Sequence, residues 1–297
     1  MHFSALNCRV DSLASTLNLP MDVLRLDLLD PVVSGNKWFK LKGYLQQAKE
    51  DNKNILLTFG GAYSNHIVAT AAAAQIHGYK SIGVIRGEEP TLWSHTLKMA
   101  WQYDMNLFFT TRASYQEKNI PHELFEKYDK DNLFIIPEGG YGKPGVAGAK
   151  EMLNLVSKEN YTHFLLAVGT GTTLAGIVDS LSQDQKVIGI PVLKNAASLQ
   201  QEIELLLPVE KHHQFVLEQN YHFGGYAKKT PGLISFMNEF YQATSIPTDF
   251  VYTGKAFYAA LDLFKKHYFK SGDKVLLVHT GGLQGNLSLP KGTLIFG

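Results

Sequence analysis

The feature that most constrains the fold of this chain is a repeated alternation of short apolar runs with longer amphipathic or alanine-rich segments. Ile55 to Phe59 is an apolar run of strand length, and an alanine-rich segment after it ends at Gly78. Repeated strand–helix alternation predicts an α/β fold of two lobes, with twisted parallel sheets covered by helices on both faces. The predicted strands are 23–29, 55–59, 81–86, 106–109, 133–136, 164–168, 186–190 and 274–278, and the predicted helices are 37–51, 67–77, 91–103, 145–160, 174–181, 196–207, 232–243 and 254–269.

The length of 297 residues suggests one large or two moderate domains. We predict a small domain at residues 41–145, inserted into a larger domain made of residues 1–40 and 146–297. The polar segment 208–231, which contains histidines and glycines, is predicted to be rich in loops and receives no role.

Charge and cysteine content exclude several functional classes. The formal net charge of +1 provides no basic field for nucleic acid or for an anionic membrane surface. Cys8 is the only cysteine, so the chain has no internal disulfide, and we expect a reducing, cytoplasmic location. No apolar run approaches the roughly 20 residues of a membrane-spanning helix, no secretion signal is evident, and the histidines lack metal-ligand spacing.

Four glycine- or hydroxyl-rich stretches follow predicted strands, at residues 60–66, 138–142, 169–173 and 280–282. Ligands of parallel α/β sheets bind outside the carboxyl ends of the strands. We therefore expect these stretches to converge on one site.

The stretch Gly169-Thr170-Gly171-Thr172-Thr173 follows an apolar strand and opens a helix, which favours phosphate binding by backbone amides and hydroxyls. No lysine follows the glycines, so it is not a P-loop. Leu174 stands where a dinucleotide fingerprint needs its third glycine, so a single phosphate is favoured. A tight turn with threonine capping is the alternative.

Lys37 and Lys40 lie one turn apart on a predicted helix that Asn36 caps. A neighbouring cation lowers the pKa of a lysine amine and makes it more nucleophilic, so one amine could react while the other holds an anion. By itself, the spacing also fits a solvated helix face.

Further candidate site residues lie in the other loops. The run Ser64-Asn65-His66 opens a helix, where it could bind a carboxylate or act as a cap. Tyr252 could be an acid–base hydroxyl or a half-buried core residue, and Thr280 offers a neutral hydroxyl among glycines.

These four motifs, in this order between Val23 and Gly282, resemble the pyridoxal-phosphate enzymes of the tryptophan-synthase-beta fold type (fold type II). The branch is that of D-cysteine desulfhydrase and 1-aminocyclopropane-1-carboxylate deaminase. The resemblance implies pyridoxal 5'-phosphate as cofactor, with Lys37 forming the Schiff base and Lys40 helping to bind the phosphate. It also implies a homodimer.

The resemblance assigns the remaining site residues. Asn65 is expected near the phenolic oxygen of the cofactor, and Ser64, Asn65 and His66 are expected to bind the substrate. The phosphate is expected on Gly169 to Thr173, and Thr280 resembles the neutral partner of the pyridine nitrogen, which makes the ring a weaker electron sink.

The resemblance leaves two enzyme classes open. His66 matches the desulfhydrase pattern, whereas the deaminase has glutamine there. The resemblance implies catalysis by Lys37, Ser64 and Tyr252, with Lys37 as the general base, on a small amino-acid substrate such as D-cysteine. A second tyrosine expected of the deaminase is replaced by Leu277 in the last core strand. Another pyridoxal elimination or racemisation and a non-catalytic phosphometabolite-binding protein are the alternatives.

Overall fold

The computed structural model describes residues 8–194 and 196–296. These residues form two compact units, one at Lys37–Gly148 and the other made of residues 8–36 and 149–296. The domain boundaries predicted from the sequence lie after residues 40 and 145, and they remain a prediction. Within the described residues, no helix combines the length and the apolar character that a membrane span requires.

The unit Lys37–Gly148 contains a four-stranded sheet in which every neighbouring pair is parallel. Its strands are β3 (Ile55–Gly61), β4 (Lys80–Arg86), β5 (Met105–Thr110) and β6 (Leu133–Ile136), in the order β5-β4-β3-β6, and its helices include α3 (Asn65–His77), α4 (His95–Gln102), α5 (Arg112–Gln116), α6 (His122–Lys127) and α7 (Lys143–Lys150). Helix α2 (Asn36–Glu50) begins at Asn36, where the first segment of the other unit ends.

The second unit contains a six-stranded sheet that is parallel except at one edge, where β1 pairs antiparallel with β2. Its strands are β1 (Val10–Ser12), β2 (Met21–Arg25), β7 (His163–Val168), β8 (Lys186–Pro191), β9 (Phe215–Leu217) and β10 (Val275–His279), in the order β1-β2-β10-β7-β8-β9. Its helices are α1 (Ala14–Leu17), α8 (Thr172–Asp179), α9 (Leu199–Glu204), α10 (Pro231–Thr244) and α11 (Thr253–Lys265).

Burial on both faces of the sheets explains why the strands are continuous apolar runs. In β7, Leu165 belongs to a core cluster that includes Phe257 of α11, while Phe164 and Leu166 point to the opposite face and are also fully buried. The predicted fold class, parallel sheets covered by helices, is confirmed.

Several predicted elements have different bounds, among them the helices predicted at 196–207 and 254–269, which are observed at Leu199–Glu204 and Thr253–Lys265. For three others the structure shows the local reason or the change of helix type. The strand predicted at 23–29 ends at Arg25, whose guanidinium binds the Asp27 carboxylate in a 3-10 turn at 26–28. Helix α4 begins at His95 because the hydroxyl of Ser94 accepts a bond from the Leu97 amide. The helix predicted at 145–160 begins as α7 at Lys143 and turns into 3-10 turns after Lys150.

Candidate active site

Two of the predicted loops follow neighbouring strands of the four-stranded sheet. The stretch 60–66 continues β3 and enters α3, and the stretch 138–142 follows β6. Thr58 of β3 links them: its hydroxyl donates to the Ile136 carbonyl at 2.8 Å and lies 2.9 Å from Nε2 of His66. His66 is therefore held at the carboxyl edge of this sheet.

The hydrogen bonds of Thr58 assign the tautomer of His66. A threonine hydroxyl has one proton, and the Ile136 carbonyl takes it, so Nε2 of His66 must donate to Thr58. Burial and the positive charges of Lys40 and Lys37 hold the pKa of His66 well below its usual range, so the ring is neutral. Nδ1 is then a buried acceptor that makes no hydrogen bond within the described residues.

Lys40 is a buried cation on the inner face of α2. Its side chain is 3 % exposed, and its ammonium group donates to the carbonyl of Gly139. Burial, together with the nearby charge of Lys37, lowers the pKa of Lys40 well below its usual range. Within the described residues no carboxylate forms an ion pair with it. A buried ammonium group without a carboxylate fits an anionic ligand.

Glycines bring the backbones of α2 and α7 together and enclose Lys40. A Cβ on Gly43 would lie 2.0 Å from the Pro144 carbonyl oxygen, and a Cβ on Gly148 would lie 2.0 Å from that of Phe39. Neither position can accept a side chain without a backbone shift. Lys37, half-buried near the start of α2, precedes Lys40 by one turn, as the sequence predicts.

Ser64 occupies the position before α3, yet its hydroxyl does not cap the helix. No side-chain cap bond is formed there, although Ser64 has extended dihedral angles that suit a capping serine. Asn65 and His66 are the first two residues of the helix. The capping alternative for Ser64 is therefore not supported, and its hydroxyl is available to a ligand.

The glycine–threonine stretch lies between β7 and α8, as the sequence predicts. Gly171 has a φ of 81°, and a Cβ there would lie 2.4 Å from Cγ1 of Ile203, so only glycine fits. No side chain caps α8, while Thr172 and Thr173 are buried at its first turn. Uncapped amides and buried hydroxyls at a helix N-terminus form an anion-binding arrangement.

Asn36 connects this stretch to the loop after β10. Its backbone amide donates to the Thr280 carbonyl at 3.2 Å, and its side-chain nitrogen donates to Oγ1 of Thr173 at 2.8 Å. Strands β7 and β10 are parallel neighbours, which explains why their loops meet. Sequence reasoning treated Asn36 only as a helix cap and missed this bridge, because Thr173 is 137 residues away.

Tyr252 stands immediately before α11, half-buried, and its hydroxyl lies 3.3 Å from that of Tyr226. The rings meet edge to face, with centroids 5.9 Å apart. Leu277, expected in place of a second tyrosine, is fully buried core in β10, and that expectation stays a prediction. Tyr226 supplies a second phenol beside Tyr252. Tyr226 belongs to the segment 208–231, which had received no role.

Asp249 explains the fixed position of Tyr252. Its fully buried carboxylate accepts bonds from the amides of Val251, Tyr252 and Thr253 and from the hydroxyl of Thr253, at 2.8–2.9 Å. Four donors on one carboxylate hold the backbone at the start of α11 in a single conformation.

Comparisons with known proteins show which proteins this chain is similar to. A family model described as "Pyridoxal-phosphate dependent enzyme" matches residues 8–281. A Pyrococcus furiosus protein, provisionally named 1-aminocyclopropane-1-carboxylate deaminase, is 29% identical over 283 residues, covering 89% of this chain and 84% of its own. D-cysteine desulfhydrase from Klebsiella pneumoniae subsp. pneumoniae is 25% identical over 291 residues, covering 91% and 89%.

A solved structure shares the fold. The crystal structure of an ACC deaminase homologue superposes with a TM-score of 0.75 at 24% identity, covering 94% of this chain and 90% of its own.

Proposed function

This chain belongs to the family of pyridoxal-phosphate dependent enzymes, and on that premise we propose that it is a lyase acting on a small amino acid. The proposed reaction is a D-cysteine desulfhydrase-like α,β-elimination, in which D-cysteine and water yield pyruvate, ammonia and sulfide. The observation that carries this choice is His66, which follows Ser64-Asn65, is oriented by Thr58, and presents a buried acceptor nitrogen.

The residues present fit the chemistry of the cofactor. The uncapped start of α8, with Thr172 and Thr173 buried beside it, suits a phosphate, as does the buried ammonium group of Lys40. We assign the phosphate to Gly169, Thr170, Gly171, Thr172, Thr173 and Lys40, and the rest of the cofactor to Lys37, Asn65 and Thr280. When bound, pyridoxal phosphate supplies an electron-withdrawing ring system that stabilises negative charge at the substrate α carbon.

Lys37 is assigned both the covalent bond to the cofactor and the transfer of the substrate α proton. The second role needs a neutral amine once substrate has displaced it. Lys40 lies one turn away on the same helix, and burial together with the charge of Lys37 lowers the pKa of Lys40, because two like charges repel.

Ser64, Asn65 and His66 are assigned to the substrate. The carboxylate of an amino acid would accept bonds from the Ser64 hydroxyl and from amides at the start of α3. His66 Nδ1 can accept a bond from a substrate donor such as a thiol. Tyr252 and Ser64 are assigned proton transfer to and from the substrate.

We predict that Ser64→Ala lowers kcat/KM for the substrate about tenfold or more, because a hydrogen bond to a carboxylate is lost. The free energy of unfolding should change by less than about 0.5 kcal/mol, since Ser64 makes no cap bond. Thr111→Ala is the matched control: its hydroxyl caps α5 by accepting from the Ser114 amide at 3.2 Å, so it should cost about 1 kcal/mol and leave kcat/KM unchanged. Unaltered kinetics in Ser64→Ala would remove Ser64 from the site.

A second candidate is a 1-aminocyclopropane-1-carboxylate deaminase, which releases 2-oxobutyrate and ammonia. The 3.3 Å separation of the Tyr226 and Tyr252 hydroxyls favours it, because two adjacent phenols provide the pair of tyrosines that the resemblance implies for ring opening. Another pyridoxal elimination or racemisation is a third possibility. A non-catalytic phosphometabolite-binding protein would stay colourless when pyridoxal phosphate is added.

The deciding experiment is a substrate panel of D-cysteine, L-cysteine, D-serine and 1-aminocyclopropane-1-carboxylate. We expect sulfide and pyruvate in equal amounts from D-cysteine, and little 2-oxobutyrate from the cyclopropane substrate. Turnover of the cyclopropane substrate at a higher kcat/KM than D-cysteine would replace the desulfhydrase proposal by the deaminase. The proposal also includes a cytoplasmic location and a homodimer. Sedimentation of the purified protein would test the homodimer.

A further inference from the structure

Lys255 is a buried cation that the proposed chemistry does not use. It lies on α11, is 0% exposed, and donates from Nζ to the carbonyl oxygen of Gly225 at 2.7 Å. Burial lowers its pKa to about 8, although the charge of Asp249 acts in the opposite direction. Burying an ammonium group is costly, so a position that retains one calls for a specific role.

Asp249 does not bind Lys255 directly. Its two oxygens accept the four bonds at the start of α11, and within the described residues Lys255 forms no ion pair. The ammonium group donates instead to the backbone of a loop. Lys255 therefore forms its hydrogen bond with that loop rather than with a carboxylate.

The loop at 222–229, which we call the tyrosine loop, has an unusual backbone. Phe223 and Ala227 have φ angles of 50° and 52°, and Gly224 and Gly225 have φ angles of 91° and 115°. Left-handed conformations are unfavourable for residues with a side chain and persist only where other contacts impose them. The Gly225 carbonyl is such a contact point, because it accepts from Lys255 and from the Lys228 amide at 3.1 Å.

The same two segments meet a second time at the tyrosine pair. Tyr226 directly follows Gly225, and Tyr252 precedes Lys255 by one helical turn, so the hydroxyl contact at 3.3 Å lies beside the ammonium–carbonyl bond. Tyr226 is 42% exposed. We propose that Lys255 is a positioning residue that holds Tyr226 beside Tyr252 by fixing the carbonyl of Gly225.

This inference deepens the proposed function and rests on it for its effect on catalysis. Its structural part is independent, because the tyrosine loop carries the exposed residues Lys228 and Lys229, at which trypsin can cut once the loop opens. Lys255→Met keeps the apolar stem and removes only the donor. The Gly225 carbonyl keeps its bond from Lys228, so the variant should fold.

The first measurement is limited digestion of the folded protein with trypsin, with peptides identified by mass spectrometry. We expect cleavage after Lys228 or Lys229 to be about tenfold faster in Lys255→Met than in wild type, because the loop opens more often. Lys265→Met, the same change at an exposed position of α11, should leave the rate unchanged. Equal rates in Lys255→Met and wild type would overturn the proposal. If Lys255→Met does not fold, as judged by circular dichroism, Lys255→Leu, which also lacks a donor, replaces it.

The second measurement tests whether Lys255 acts through Tyr226. With whichever substrate the panel identifies, Lys255→Met should lower kcat about tenfold while KM changes less than twofold, since misplaced groups affect chemistry more than binding. In a Tyr226→Phe background the same change should have almost no further effect, because the two positions are coupled. An equal loss in both backgrounds would show a general structural role instead. If no substrate turns over, the proposed function fails while the digestion result still decides the role of Lys255.

Discussion

Lys37→Ala protein is expected to release no sulfide from D-cysteine above the uncatalysed level, a loss of about a thousandfold or more in kcat. Lys37 is assigned both the covalent bond to the cofactor and the transfer of the α proton, so alanine removes two functions at once. Sulfide release measures the second function. Borohydride treatment of the holoenzyme followed by peptide mass spectrometry measures the first, with cofactor mass expected on the Lys37 peptide of wild type alone.

Lys42→Ala is the matched control for this experiment, because Lys42 lies on the same helix and is exposed. It should retain wild-type turnover and wild-type labelling of the Lys37 peptide. Normal turnover by Lys37→Ala would remove Lys37 from its assigned role, and cofactor mass on a different lysine would identify the residue that replaces it.

Gly35→Ala is expected to lower the free energy of unfolding by about 2 kcal/mol or more. Gly35 has a φ of 61°, and a Cβ there would lie 2.0 Å from the carbonyl oxygen of Thr280 and 2.7 Å from the amide nitrogen of Gly281. Both obstacles are backbone atoms, so the turn must move. That movement would break the bond from the Asn36 amide to Thr280, and we expect a loss of at least about tenfold in kcat.

Chemical denaturation of wild type and Gly35→Ala measures the stability change, with the same slope of unfolding free energy against denaturant concentration used for both proteins. Gly232→Ala provides the comparison, because Gly232 lies in the first turn of α10 with nothing within 4 Å of its would-be Cβ. That substitution should leave stability within about 1 kcal/mol of wild type. A Gly35→Ala protein as stable as Gly232→Ala would show that the turn accommodates a side chain.

Local patterns were sufficient for most of the fold because the strands and helices carry strong signals of their own. The apolar run predicted at 55–59 lies within β3, and Gly78 ends α3 with a φ of 75°. Local signals do not determine where helix α4 begins, because Thr91 and Ser94 are both residue types that cap helices. Ser94 is used because its hydroxyl also donates to the distant carbonyl of Ala62, a tertiary contact that no local pattern contains.

The candidate site was also only partly predictable from local sequence patterns. Glycines and hydroxyls after strands predicted the stretches at 60–66 and 169–173, and parallel topology explains why each lies at the carboxyl edge of its sheet. The spacing of Lys37 and Lys40 predicted a helical pair but could not distinguish a solvated face from a buried site. Burial of Lys40 depends on the close approach of α2 and α7 through Gly43 and Gly148, which are separated by about a hundred residues.

By itself, the sequence determined the α/β class, the order of the motifs and the residue types that can hold a phosphate and an amino acid, because these depend on neighbours within one strand or helix. Only the tertiary structure decided the protonation of His66, the bridge from Asn36 to Thr173 and the pairing of Tyr226 with Tyr252. Each of these depends on contacts between segments far apart in the chain. Tyr226 shows the reason: its position is set by the 2.7 Å bond of Lys255 to Gly225, 30 residues away, and not by the polar loop sequence around it.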